Sequence, residues 1–311
     1  MLIFKEAMES TTRHISVLKK EVLEFLRASE GGDFLDVTLG GGGHTEAILE
    51  ASPTSFVVAL DRDARAIERA KKRLSRFNGR FEIHHAPFSK AAAMVKEKKF
   101  FGVLADFGLS TDQLFEGRGF SFNDDGALDM RMDESTGIDA KTFVNTAPEK
   151  DILIAMRQGG VGTQSMKITQ VIMRGRPFES AKALAQAVAP YGKKGEKVHP
   201  ATVVFQAIRI AINQEFEEIK KFLASAPEFV APKGRIACIA FHSDEDKILG
   251  HEMRTWEQGD GVPAGWRGKR SEKPRYGKLL TKKAILPSEE EVLANPSARS
   301  ARMRVFEFSE K

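Results

Sequence analysis

The sequence predicts an α/β fold: a parallel, doubly wound sheet with an all-helical domain inserted into it. Three observations predict it. Short apolar runs alternate with helical spacing through residue 106, the signature of strand–helix–strand units. Four consecutive glycines from Gly40 to Gly43 join the first run to the first such helix. From Asp139 to Glu218 the spacing is helical throughout, and a strand pattern returns only at Gly234.

The elements follow in order. Arg13 to Leu26 opens with a polar turn and continues as an amphipathic helix, with Val17, Leu18, Val22 and Phe25 on one face and His14 as a candidate cap. Phe34, Leu35, Val37 and Leu39 read as a short buried strand, and His44 to Glu50 as the helix after the glycines. Phe56 to Asp61 is a second strand ending in a carboxylate. Asp63 to Leu74 is a helix with Asp63 as its N-cap. Phe81 to His85 is a third strand, closing with Ala86-Pro87-Phe88, and Phe101 to Asp106 a fourth, again ending in a carboxylate. Residues 108–133 form a long aperiodic loop, and loops of that length are functional or disordered. Its aromatic and Met content argues for function.

Helices are expected at Ala140 to Asn145, Glu149 to Arg157, Ser165 to Arg174, Ser180 to Val188 and Ala201 to Ile219. Gly234 to Ser243 reads as a buried strand ending in His242 and Ser243. Trp256 to Lys278 reads as a Gly-rich, basic loop. Leu279 to Lys283 and Arg302 to Phe308 alternate by two, as a closing hairpin does.

Bulk properties narrow the function classes. The 311 residues are 29% charged and 41% hydrophobic, a globular balance. No apolar run approaches the roughly 18 residues of a membrane span, and Met1 to Thr12 lacks a signal-peptide core. A single cysteine excludes a disulfide framework and a cysteine-built zinc site, so cytoplasmic residence is the default. A net charge of +5 permits a nucleic-acid partner. Basic residues concentrate at 65–80, 193–197, 267–283 and 299–304; the first cluster reads as a solvated helix face, the later ones as loops suited to phosphate.

The glycine turn carries the chemistry. Bare backbone at a helix N-terminus lets a ligand approach main-chain N–H groups, although a purely structural turn would look the same. A dinucleotide fingerprint needs G-x-G-x-x-G. Counting from Gly40, Thr45 stands where the third glycine belongs; counting from Gly41, Glu46 does. Asp36, just before the turn, would repel a pyrophosphate, whereas a phosphate-free sulfonium tolerates it. The turn therefore favours S-adenosylmethionine over NAD, with Asp61 placed to hold a ribose. In a doubly wound sheet ligands sit beyond the C-terminal strand ends, so residues 40–44, Asp61, Phe88 and Asp106 are expected to converge there. Phe88 is a candidate for covering an adenine face, or a plain core residue.

Several long stretches together carry a resemblance: Asp36-Val-Thr-Leu-Gly-Gly-Gly-Gly-His44, Asp106-Phe-Gly-Leu-Ser110, Gln113-Leu114, Arg118-Gly-Phe-Ser-Phe122, Leu128-Asp-Met-Arg-Met-Asp133, the run from His199 to Ile210, Phe241-His-Ser243 and Ser300-Ala-Arg-Met-Arg304. The chain resembles the bacterial RsmH (MraW) family from about residue 13 to 307. Members are S-adenosylmethionine-dependent methyltransferases acting on a cytidine N4 in the decoding region of 16S ribosomal RNA. The resemblance implies a Rossmann-like class I methyltransferase domain over 1–113 and 215–311, and a helical substrate-recognition insertion over 114–214. It implies cofactor contacts at Gly42, Gly43, His44, Asp61, Phe88, Asp106 and Gln113. It also implies that His199, Phe205, Gln206, Arg209 and Asn213 face RNA, and a partner in 16S rRNA or the small ribosomal subunit, without DNA or membrane. Whether the chain acts as a monomer or a homodimer stays open.

The chain departs from the family pattern at Ser110-Thr111-Asp112 (usually Ser-Ser-Pro), at Asp244 (usually Leu), around Gly159-Gly160, and at Ser297 (usually Arg). A cytosine amine is a poor nucleophile, so catalysis is expected to rest on positioning and on an acceptor for its hydrogens, with Asp106 the candidate. Phe120 or Phe122 is a candidate for stacking a base, or a core residue. Carbon-5 methylation would need a thiolate, and Cys238 lies mid-strand where burial is expected. Two other readings remain: a methyltransferase for another RNA site, and a non-catalytic ribosome-binding module on the same fold.

Overall fold

The computed structural model describes residues 15–122, 127–191, 199–259 and 274–310. His14, the basic cluster at 193–197 and the 260–273 part of the expected basic loop lie outside the described residues.

The first half alternates strands and helices: α1 (Lys19–Phe25), β1 (Gly32–Asp36), α2 (Gly43–Ala51), β2 (Ser55–Asp61), α3 (Ala64–Leu74), β3 (Phe81–His85), α4 (Ala91–Val95) and β4 (Phe100–Asp106). A helical stretch follows: α5 (Thr111–Leu114), α6 (Ala140–Thr146), α7 (Glu149–Gln158), α8 (Ser165–Gly175), α9 (Ala181–Val188), α10 (Pro200–Ile212) and α11 (Glu215–Ser225). The chain closes with β5 (Val230–Ala240), α12 (Ser243–Gln258), β6 (Gly277–Leu279), α13 (Glu289–Ala294) and β7 (Arg302–Phe308).

The chain folds as two compact units, Met1–Gly108 with Phe216–Lys311, and Leu109–Glu215. The helical unit begins at Leu109 rather than at the expected 114, because Leu109 and Leu114 both pack on its hydrophobic core.

In the first unit the strands form one sheet in the order β3-β2-β1-β4-β5-β7-β6. The first five neighbours pair parallel, and β7 runs antiparallel to both β5 and β6. The strands are apolar on both faces, as a covered parallel sheet requires. Leu35, Val58, Val103 and Ile236 face one core cluster; Phe34, Val57, Leu104 and Ala237 face the other. Chain order reverses at β1, with β2 on one side and β4 on the other. In doubly wound sheets ligands bind beyond the C-terminal strand ends at such a reversal.

Local chemistry sets the boundaries. Asp63 caps α3 through the Arg65 amide, Ala66, Ile67, Ala70 and Leu74 are buried, and Lys71, Lys72 and Arg73 sit at the negative end of the helix dipole. The expected helix from Ala201 to Ile219 is two helices, because Gln214 takes a left-handed backbone (φ 51°) between them. The expected strand end at Ser243 is instead the start of α12. Glu245 accepts the amides of Phe241 and His242, so the ladder stops at Ala240 and His242 becomes an N-cap. Asp244, where the resemblance expects Leu, falls in that first turn, where a negative charge favours the helix dipole. Trp256 completes α12, and Gly277 begins β6, so the expected loop is bounded by regular structure on both sides. The closing pair β6–β7 is antiparallel as a hairpin is, but α13 lies in the connection.

The helical unit is built around Leu128, Met130 and Met132 beneath α6 to α10. Within it α7 ends at Gly159, where an added Cβ would lie 2.2 Å from the Ala207 backbone of α10. Backbone cannot yield as a flexible side chain can. Gly159→Ala is expected to lower the stability of this unit by about 1–3 kcal/mol, the usual range for overpacking. A lower urea midpoint for the helical signal would register it.

Candidate active site

The site is assembled from the ends of β1, β2 and β4. Past β1 the Val37 and Leu39 amides still bond to the Leu104 and Leu60 carbonyls (3.0 and 2.9 Å), while the buried Asp36 carboxylate accepts the Thr38 amide (3.1 Å) and the Thr45 hydroxyl (2.7 Å). These bonds fold the glycine turn back onto its own strand. Burial raises the Asp36 carboxyl above its ordinary value, with its two hydrogen bonds and the neighbouring His44 pulling the other way.

At the end of β2, Asp61 ties the turn down. Its Oδ2 accepts the Gly40 amide at 2.7 Å, and its Oδ1 accepts the Asp63 amide at 2.8 Å. Burial pushes its carboxyl up to about 6, against the pull of those two amides. Ionised Asp61 therefore costs the folded protein stability as pH rises from 3.8 toward 6. The cost is at most about 3 kcal/mol, and less where solvent reaches the carboxyl. A charge kept at such a cost marks a functional position more often than a structural one.

The four glycines are not equivalent. Gly40 (φ 52°) faces open space: a Cβ there would meet nothing nearer than 3.9 Å. Gly42 (φ 82°) backs onto Ala70 at 3.2 Å, and a Cβ on Gly43 would collide with the Ser16 hydroxyl at 2.2 Å. Packing from behind demands bare backbone at Gly42 and Gly43, whereas Gly40 is bare on its open side. Arg73 reaches from α3 to the Gly41 carbonyl (3.2 Å) and to Glu46 (2.9 Å), bracing the turn.

Asp106 ends β4 beside this turn. Its amide donates to the Thr38 hydroxyl at 2.6 Å, and its Oδ2 lies 3.5 Å from Nε2 of His44, in the first turn of α2. His44 is buried, and neither of its ring nitrogens has a hydrogen-bond partner among the described residues; the same holds for Oδ1 of Asp106. Unpaired buried polar groups cost about 1–3 kcal/mol each, so this end of the sheet is built for something that supplies the missing partners. Phe88 is half-buried after β3, tilted against Phe107 (5.2 Å) and edge-on to Phe222 (6.0 Å). It packs on the core and has not been swallowed by it.

The remaining candidates belong to the helical unit. Gln113 and Ser110 form a capping box: the Gln113 carbonyl accepts the Ser110 amide at 3.0 Å and the Ser110 hydroxyl accepts the Gln113 amide at 3.3 Å. Phe120 and Phe205 are core residues, not surface ones. Phe122 stacks on the exposed His199 ring, centroids 4.9 Å apart and 16° from parallel. His199 also caps α10 by accepting the Ala201 amide through Nδ1 at 3.2 Å. Gln206 is half-buried on α10, and Arg209 forms a two-pronged pair with Glu215 at 2.8 and 2.9 Å. Asn213 is buried, donating to the Met130 and Arg209 carbonyls and accepting the Met132 amide, each at 2.9 Å. It pins the 130–132 segment, where the resemblance implies a side chain facing RNA.

Residues that sequence reasoning passes over hold the site together. Thr38 and Thr45 fix the turn, and His242 with Glu245 ends β5. The last pair is legible, since a capping residue followed three places on by Glu is a helix-start signature. The threonines carry no such signal, because their partners lie elsewhere in the chain or inside the turn.

The chain matches the MraW methylase family over residues 11–309. It belongs to that family. A ribosomal RNA small subunit methyltransferase H from Synechococcus elongatus is 39% identical over 310 residues, 98% of each chain. One of the same name from Thermomicrobium roseum is 41% identical, covering 96% of this chain and 94% of its own. A solved putative methyltransferase from Streptococcus mutans, in complex with SAH, covers 94% of this chain at 9% identity and a TM-score of 0.44. So distant a likeness decides nothing. The sheet order, the reversal at β1 and the antiparallel β7 identify this family member's fold as the Rossmann-like class I methyltransferase sheet.

Asn213→Ala in this MraW-family chain strips partners from a buried amide and carbonyl. Stability is expected to fall by about 2–4 kcal/mol at the helical unit, since each stranded group costs about 1–3 kcal/mol. Thermal unfolding measured without RNA distinguishes this structural loss from a binding defect.

Proposed function

We propose that this member of the MraW methylase family transfers the methyl group of S-adenosylmethionine to the N4 amine of a cytidine in the decoding region of 16S ribosomal RNA, in the cytoplasm. The rRNA substrate class rests on family membership and on relatives named as small-subunit rRNA methyltransferases. The chemistry rests on one observation: Oδ1 of Asp106, a buried acceptor without a donor among the described residues, stands where β4 ends next to the glycine turn.

The residues fit such a cofactor. Asp61 offers carboxylate oxygens to ribose hydroxyls, and the open side of Gly40 admits a ligand to the backbone. Asp36, Asp61 and Asp106 cluster carboxyl groups where a dinucleotide would bring phosphates, and a sulfonium is favoured there instead. The half-buried ring of Phe88 is suited to an adenine face. When bound, the cofactor supplies an electrophilic methyl group. Asp106 accepts a hydrogen bond from the amine and orients its lone pair toward that methyl. Carbon-5 chemistry has no thiolate to start it, because Cys238 is fully buried mid-strand and burial pushes its thiol up. Phe122 stacked on the exposed His199 offers a flat aromatic surface to RNA.

Methylation of the organism's own small subunits, with the product located by mass spectrometry, tests the assignment; a methyl group on carbon or at another nucleotide redirects it. Asp106→Ala is expected to abolish transfer while circular dichroism stays that of the wild type, and undiminished turnover would remove Asp106 from the chemistry. The Asp61 carboxyl is ionised above about 6 and protonated below. Cofactor affinity is therefore expected to be flat above neutrality and to weaken roughly tenfold by pH 5, as one proton per carboxylate requires. Calorimetric titration across that range would show an unchanged affinity if the ribose is held elsewhere.

A further inference from the structure

The glycine turn and the end of β4 share more than a ligand surface. Three hydrogen bonds lock the turn to the sheet around Asp106: Thr38 amide to Asp36, Thr45 hydroxyl to Asp36, and Asp106 amide to the Thr38 hydroxyl. This places His44 Nε2 3.5 Å from Asp106 Oδ2, just beyond a normal hydrogen bond. A buried imidazole ordinarily uses at least one nitrogen, and a buried carboxylate ordinarily fills both oxygens. Here three of those four atoms lack a partner meeting hydrogen-bond geometry among the described residues, and they sit side by side. A shift of about half an ångström closes the Nε2–Oδ2 contact into a charge-assisted hydrogen bond, leaving Oδ1 to face the amine.

We propose that His44 and Asp106 act as a pair, in which Asp106 receives the proton of the amine at Oδ1 and His44, donating from Nε2–H to Oδ2, holds Asp106 in position. The inference rests on the methyl-transfer reading above and gives His44 a role beyond lining the cofactor. The amine nitrogen forms its bond to the methyl carbon as the carbon–sulfur bond breaks, and that bond's electron pair stays on sulfur. The surplus proton on nitrogen passes to Oδ1 of Asp106. Nε2–H of His44 stays on Oδ2 throughout, and Asp106 gives its proton up to solvent once the product has left.

The fields around the pair agree with this. Asp36 at the end of β1 acts on both members, attracting a charged His44 and repelling the Asp106 carboxylate. Asp61 lies within reach of Asp36 from β2. On the far side of the turn Arg73 is paired with Glu46.

The test uses the full-length protein, His44→Gln, and 16S RNA in small subunits. Gln keeps an amide near Nε2 and removes the ionisation. Expected is a single-turnover rate lowered about a hundredfold beyond any loss of cofactor affinity seen by calorimetry, at the low end of general acid–base effects. The rate–pH profile of the wild type should show one ionisation more than that of the variant. Equal profiles, or a fall in rate matched by an equal fall in cofactor affinity, would overturn the pair and leave His44 a cofactor contact. A second measurement needs neither turnover nor the His44 variant. Nitrogen-15 spectra of the His44 ring in the cofactor-free protein should show a protonated Nε2, a preference lost in Asp106→Ala; identical ring states in both proteins would refute the coupling. Failure of the wild type to methylate small subunits strikes the proposed function alone, since the spectra still report on the pair.

Discussion

The hydrogen bond from the Gly40 amide to the Asp61 carboxylate holds the site together. It joins the turn after β1 to the end of β2, and it asks one carboxylate to serve as a structural acceptor and as a group available to a ligand. Asp61 can do both because each carboxylate oxygen has a second lone pair. The arrangement is electrostatically uncomfortable, as the raised ionisation of Asp61 records. A turn made only to connect two elements would have no reason to keep three carboxylates, Asp36, Asp61 and Asp106, at one end of a sheet.

That end was fixed by topology. Strand order reverses at β1, and in doubly wound sheets such a reversal marks the end of the sheet where ligands bind. Thr38 spans the two strand ends by accepting the Asp106 amide, so the loop that binds and the strand that supplies the acceptor cannot move independently. The same tie brings His44 beside Asp106. The glycine turn and the end of β4 are thus one hydrogen-bonded piece of structure.

The helical unit follows a different economy. Its core includes Met130, Met132 and Met156 and close alanine–glycine packing, with Gly159 against Ala207, and these polar ties stay within the unit: Asn213 to the 130–132 segment, Arg209 to Glu215, Ser110 to Gln113. Several residues that look like ligand contacts in sequence are employed in holding the unit's own loops. In the stacked Phe122–His199 pair the His199 member is exposed.

The sequence by itself determined β1 to β4 and α1 to α3 of the α/β half, since apolar runs of strand length, Asp63 as a cap and the glycine turn are all local signals, whereas the helix from Ser243 to Gln258 was not legible in it. It also determined the family, because whole motifs such as 36–44 and 199–210 are legible without a fold. Tertiary structure decided the rest. Whether Phe120, Phe205 and Asn213 face solvent or core depends on which neighbours pack over them, and side-chain type does not reveal that. The break at Gln214 arises from a left-handed backbone in a residue that shows no such preference. Which glycine is bare for a ligand, and which for Ala70 or Ser16, is a question of what lies behind each one. The meeting of His44 with Asp106 is of the same kind: far apart in sequence, the two come together only because the register of β1 and β4 sets their ends side by side.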